Sequence, residues 1–139
     1  MANPAAKILT WPGARWWGPL LAGRERRFDP MNDAHAKFWT IQYPSVAVLP
    51  MAALVKYTLA QDFSGVYIPA LFVYSPDDQV VSAQATLDLA KRWGAPSTLA
   101  PQTLTPVDDP NSHVIAGDIL SPGMTESAVR VMLDWLETR

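Results

Sequence analysis

The stretch Leu71–Val81, LFVYSPDDQVV, ends an apolar run on two adjacent carboxylates, and a histidine, His113, follows later in NSHV. Carboxylates are rarely buried without a partner. Asp77 and Asp78 at the end of a buried run therefore call for one, and an imidazole would serve. A carboxylate on one ring nitrogen fixes the tautomer and stabilises the imidazolium, and the other nitrogen takes and returns a proton. Each residue also has a simpler reading. Asp78 could be an acid at the start of a helix, favoured there by the helix dipole. His113 could be a loop histidine that binds backbone groups. His35, beside Lys37, reads as a surface histidine. Asp108 and Asp109 raise a metal site with His113, but no second histidine or cysteine lies near them. The chain has no cysteine, so disulfides and thiolate catalysis are excluded. No motif for a cofactor or a metal ion is present.

The elements that must position these residues can be read from apolar patterning and caps. Pro69–Tyr74 is a short continuous apolar run, as in a strand buried on both faces. Ser82 can cap a helix over 83–93, with Gly94 as its stop. Residues 97–105 form a second strand, and Pro101 argues for an edge position. A long loop carrying His113 leads to a last helix over 126–138, capped by Thr125. In that helix Val129, Met132, Leu133 and Leu136 make one apolar face. Strand, helix, strand, loop and helix make one βαβα unit with two parallel strands and a right-handed crossover. Functional groups of open α/β sheets lie beyond the carboxyl ends of the strands. Asp78 follows the first strand and His113 the second.

Residues 1–43 are irregular and aromatic, with Trp11, Trp16, Trp17, Phe28, Phe38, Trp39 and Tyr43 broken by four prolines. Short helices are expected over 4–10 and 32–41, the second capped by Asp29 or Asn32. An apolar helix is expected over 45–60, with Pro50 in its first turn or at a kink. The tryptophans suit a core or an interface, or an acyl-binding face.

Composition bounds the function class. The 139 residues are 49% hydrophobic and 17% charged, with a net charge of -2 and 13 prolines. Such a chain suits one domain with a core and gives no reason to expect nucleic-acid binding. The charge is uneven: six Lys/Arg against three Asp/Glu in residues 1–43, and five against ten in residues 44–139. Arg24, Arg26 and Arg27 read as a solvated loop. No apolar stretch is long enough to span a membrane and the first residues lack a signal-peptide pattern, so a cytoplasmic location is the default.

The run S-P-D-D-Q-V-V after an apolar strand, with N-S-H-V before a final helix, resembles the C-terminal half of the α/β-hydrolase superfamily, in its serine esterase and lysophospholipase-like members. There a Gly-x-x-Asp-x-Val/Ile-Val turn carries the triad acid. Aligned on Val80 and Val81, that acid falls on Asp78, with Asp77 a spacer, and Ser112-His113 matches the family's histidine. The resemblance implies a partial α/β-hydrolase fold: two parallel strands flanked by helices over 61–139, with a Trp-rich cap or lid segment over 1–60. It implies Asp78 and His113 as the acid and base of a Ser-His-Asp triad acting on carboxylic esters.

This sequence departs from the family in having no Gly-x-Ser-x-Gly elbow and no His-Gly oxyanion loop. It therefore reads as a C-terminal half. The serine would come from a partner chain or from another position, such as Ser75 or Ser112. The alternative is a catalytically inactive, self-associating module of the same fold. Two strands alone make a marginal sheet with an open apolar edge. A homo-oligomer, joined through that edge or through the Trp-rich segment, is therefore expected.

Overall fold

The structure, a computed structural model, describes residues 23–138 together with Gly13 and Trp16. The helix expected over 4–10, and Trp11 and Trp17, lie outside the described residues. The described residues divide into two compact units, one up to residue 61 and one from residue 62 onward.

In the first unit, strand β1 (Glu25–Arg27) pairs antiparallel with β2 (Gln42–Pro44), with Arg26 opposite Tyr43. Arg26 and Arg27 are thus in a strand and not a loop, while Arg24 lies at the bend before it, and all three are exposed as expected. Between the strands lies helix α1 (Asp33–Phe38), capped by Asn32, whose side chain accepts from the His35 amide at 2.8 Å. The helix is shorter than its apolar pattern suggests. It stops at Trp39, whose backbone is extended.

His35 is not a surface residue. It is 5% exposed and lies between Phe28, 5.6 Å away, and Trp39, which meets it edge-on at 5.0 Å. Its Nδ1 accepts from the Met31 amide at 3.1 Å, which places the ring proton on Nε2 in the neutral form. The position beside Lys37 is misleading because α1 turns this residue toward its aromatic neighbours.

A 3-10 turn at Ser45–Ala47 opens α2 (Val48–Leu59), and Pro50 falls in the first turn of α2, where its missing N–H is tolerated. Apart from Lys56 its residues are uncharged, yet only Ala52 is buried. Met51, Leu54 and Tyr57 are each more than half exposed.

The second unit is built on β3 (Ala70–Tyr74) and β4 (Ser97–Pro101), which pair in parallel with Phe72 opposite Leu99. With α3 (Ala83–Arg92) between the strands and α4 (Thr125–Glu137) at the end, the unit is of the α/β class. Pro101 is the last residue of β4, where a missing donor costs no ladder bond. Ser82 caps α3, accepting from the Ala85 amide at 3.3 Å.

Two tryptophans fix the layers. Trp93, at the end of α3, donates from its indole to the Ile68 carbonyl at 2.8 Å, stacks on Phe63 and meets Phe72 edge-on. Trp135 of α4 donates to Thr98 Oγ1 at 3.1 Å. Thr98 is in register with Leu71, the neighbour of Phe72, and successive residues of a strand face opposite ways. The two tryptophans therefore hold α3 and α4 to opposite faces of the sheet.

Helix α4 differs from expectation in two ways. Thr125 is its first residue and not its cap, because a 3-10 turn at Pro122–Met124 precedes it. Its inward stripe is Ala128, Val131 and Trp135, continued by Met124 in the turn before it, all buried or half-buried. The expected apolar stripe faces outward, with Val129, Met132, Leu133 and Leu136 between 45% and 58% exposed.

Gly94 follows α3 for a steric reason. Its amide donates to the Phe63 carbonyl at 2.9 Å, and a Cβ here would lie 2.0 Å from the Ser64 carbonyl oxygen and 2.8 Å from that of Val66. Both obstacles are backbone, so neither can swing aside. Gly94→Ala is expected to destabilise the second unit by about 2 kcal/mol or more, the scale of core overpacking, measured by urea denaturation. An unchanged midpoint would refute the close approach of Gly94 to the 64–66 turn.

Candidate functional site

The loops leaving β3 and β4 meet beyond the carboxyl ends of the two strands. The turn after β3 is set by side chains. Ser75, 1% exposed, accepts the Asp77 amide on Oγ at 3.2 Å. Asp78 Oδ1 accepts the amides of Val80 at 2.7 Å and Val81 at 2.8 Å. This is a local aspartate turn, which competes with regular structure and delays the helix to Ala83. Asp77 stays exposed at the surface.

Asp78 Oδ2 is left for another donor, and it lies 2.9 Å from His113 Nδ1. The aspartate side chain is 8% exposed and the histidine side chain 40%. Burial pushes the Asp78 carboxyl up, but the His113 hydrogen bond and the amides of Val81 and Val80 outweigh it, and the net shift is downward. Asp78 is therefore ionised and can only accept. His113 Nδ1 must carry the proton of this bond, and in the neutral ring the lone pair is then on Nε2.

The loop bearing His113 is organised by two buried aspartates. Asp108, 6% exposed, accepts the Gly123 amide on Oδ1 at 2.9 Å and both the amide and hydroxyl of Thr105 on Oδ2. Asp109, 4% exposed, accepts the amides of Asn111, His113 and Val114. In both, burial raises the carboxyl and the donated hydrogen bonds bring it below its ordinary value. Among the described residues no group of three or more acidic, histidine or cysteine side chains could hold a metal ion. These two aspartates bind backbone instead.

Gln79 joins the two loops a second time. Its amide donates to the Asn111 carbonyl at 2.9 Å and its side chain to that of Pro110 at 3.2 Å. The residues that escape a reading for chemistry are thus Gln79 and Ser121, which is fully buried, while Asp109, raised as a metal ligand, serves the backbone instead. The signal in the sequence for the turn they hold is the run Asp109-Pro110-Asn111-Ser112.

The two serines considered as nucleophiles are placed differently. Ser75 is buried and holds the Asp77 amide. Ser112 adjoins His113 in a left-handed conformation, φ 52, and its amide donates to the Asp109 carbonyl at 2.8 Å. Comparison with protein-family models, curated proteins and solved structures finds no match for this chain. Among the described residues no helix is long and apolar enough to cross a membrane.

The depressed carboxyls give a pH expectation. Each releases its proton more readily folded than unfolded, where an aspartate titrates at about 3.9. The unfolded chain thus binds more protons as pH falls below about 5, and stability drops through the folded values. Denaturant midpoints are expected to be level above about pH 5 and to fall below about pH 4. Asp78→Asn should make that acid limb shallower. An equally steep limb in the variant would show that the Asp78 carboxylate contributes no folding-linked proton.

Proposed function

We propose that the second unit supplies the acid and the base of a serine-hydrolase proton relay, of the α/β-hydrolase type, acting on carboxylic esters. One observation carries the reading: Asp78 Oδ2 and His113 Nδ1 are 2.9 Å apart on loops that follow two neighbouring parallel strands. In this role His113 Nε2 takes the proton of a serine hydroxyl and returns it to the leaving alkoxide. Asp78 holds the tautomer and stabilises the imidazolium. The half-exposed imidazole, beside a buried carboxylate, suits a base that must meet substrate.

The nucleophile is the part this chain's motifs do not supply. Within the reading, it comes from a strand of a partner chain that adds in parallel to the open edge of β3, or from Ser112 after rearrangement of its turn. The cap-like role of residues 1–60 belongs to the same proposal.

A second reading, a non-catalytic module that associates with itself, is favoured by a separate observation. The outward stripe of α4 and the residues Met51, Leu54 and Tyr57 of α2 are apolar and exposed, and large exposed apolar patches mark interaction surfaces. β3 also pairs only with β4 among the described residues.

The two readings separate experimentally. Short-chain p-nitrophenyl esters are expected to be hydrolysed, with the rate falling about 100-fold or more in His113→Ala, as for loss of a general base. A fluorophosphonate probe should then label one serine. No turnover and no labelling by the pure chain, with light scattering giving twice the mass of one chain, would leave the module reading alone. A monomer at micromolar concentration would remove that reading.

A further inference from the structure

We infer that Asp109 is a positioning residue for the His113 imidazole, acting through the backbone. Its buried carboxylate holds residues 109–114 in the shape that presents His113 Nδ1 to Asp78. This rests on the proton-relay reading of that pair and adds a residue that the relay itself does not need for chemistry.

Packing holds the ring of His113 only in part, since its side chain is 40% exposed, and its one hydrogen-bonded side-chain partner given by the structure is Asp78. The backbone beneath it must set its direction. That backbone is wrapped around one carboxylate. Oδ1 accepts the Asn111 amide at 3.0 Å, and Oδ2 accepts the His113 amide at 3.1 Å and the Val114 amide at 2.9 Å. Between them Ser112 sits in the left-handed region, which costs energy for a residue with a side chain. Donors from both sides of Ser112 to a single ionised acceptor stabilise that conformation.

The anchor is itself fixed. The Asp109 amide donates to Ser121 Oγ at 3.1 Å, and the Ser121 hydroxyl donates to the Val114 carbonyl, which closes the turn. On its outer side, the carbonyls of Pro110 and Asn111 receive Gln79, the neighbour of Asp78. The turn that Asp109 shapes therefore meets the acid loop at two places: Gln79 through backbone carbonyls, and Asp78 through the imidazole.

The chain has only two histidines, and their ring protons are placed oppositely. His113 carries its proton on Nδ1, facing Asp78, whereas His35 accepts on Nδ1 from Met31. Long-range nitrogen–proton spectra of histidine-labelled protein at about pH 8.5, above the ordinary histidine range, read both tautomers at once. The full chain is expected to show two opposite patterns. In Asp109→Asn, His113 should lose its Nδ1–H preference and approach the mixture of free imidazole, with the His35 signal unmoved. Asp78→Asn sets the size of a complete loss. Ser121→Ala, which leaves the carboxylate in place, should give a smaller shift in the same direction.

A folded Asp109→Asn protein with a wild-type His113 pattern, beside a shifted one in Asp78→Asn, overturns the inference and leaves the pair standing. An unmoved pattern in Asp78→Asn sinks the pair and the inference together. If Asp109→Asn does not fold, Ser121→Ala decides: a moved His113 tautomer supports the inference and an unmoved one overturns it.

Discussion

A carboxylate taken out of water must have its oxygens filled by donors, because an unpaired buried charge is far more costly than any single contact is favourable. Three aspartates in the second unit, Asp78, Asp108 and Asp109, meet that constraint within the loops. Their oxygens collect amides that no helix or strand would otherwise satisfy. The long segment between β4 and α4 thus has a defined path although most of it is irregular. Apolar packing could not do this alone. The buried apolar residues among those described are Ala52, Ala90, Leu120, Met124 and Ala128, and the largest fully buried side chains are serines. Hydrogen bonds to carboxylates are short and directional, so the bonds that hold this loop also fix where its histidine lies.

That division of labour explains which features were legible in the sequence. β3 announced itself as an apolar run, and α3 through its Ser82 cap, because local chemistry decides those features; Gly94 follows α3 as expected, but the backbone of residues 64–66 is what requires it. Asp78 and His113 were legible as a pair because two parallel strands bring the loops after them together whatever the loops contain. The inward stripe of α4 was hidden, since Met124, Ala128, Val131 and Trp135 follow helical spacing as well as Val129, Met132, Leu133 and Leu136 do. Spacing identifies an apolar face; only the sheet decides which of two faces turns inward.

Other features were illegible for different reasons. β1 is three residues long, rich in arginine and wholly exposed, so neither propensity nor alternation marks it. His35 is buried by aromatic neighbours that α1 brings from either side, a tertiary effect with no local signature. Asp109 looked like one of two metal-type acids. Nothing in a list of residue types distinguishes a carboxylate that binds an ion from one that binds three amides, because both are met by the same turn-forming company.

Symmetry separates the two proposed roles more sharply than composition does. If β3 joined its copy across a two-fold axis, the shared sheet would pair the strands antiparallel, since an isologous contact places residue i against j and j against i. The carboxyl end of one β3 would then lie beside the amino end of the other. Such a dimer covers the edge of β3 left open among the described residues, but it sets the amino end of the copy's β3, not its carboxyl end, beside the turn that carries Asp78. A serine delivered to that pair by another chain through this edge requires a parallel neighbour, whose carboxyl end would stand about 4.8 Å to the side of that of β3. Closure by self-pairing and completion of a triad at this edge are therefore incompatible occupancies of one row of backbone donors and acceptors. A chain that satisfies the edge with its own copy cannot also receive a parallel strand there.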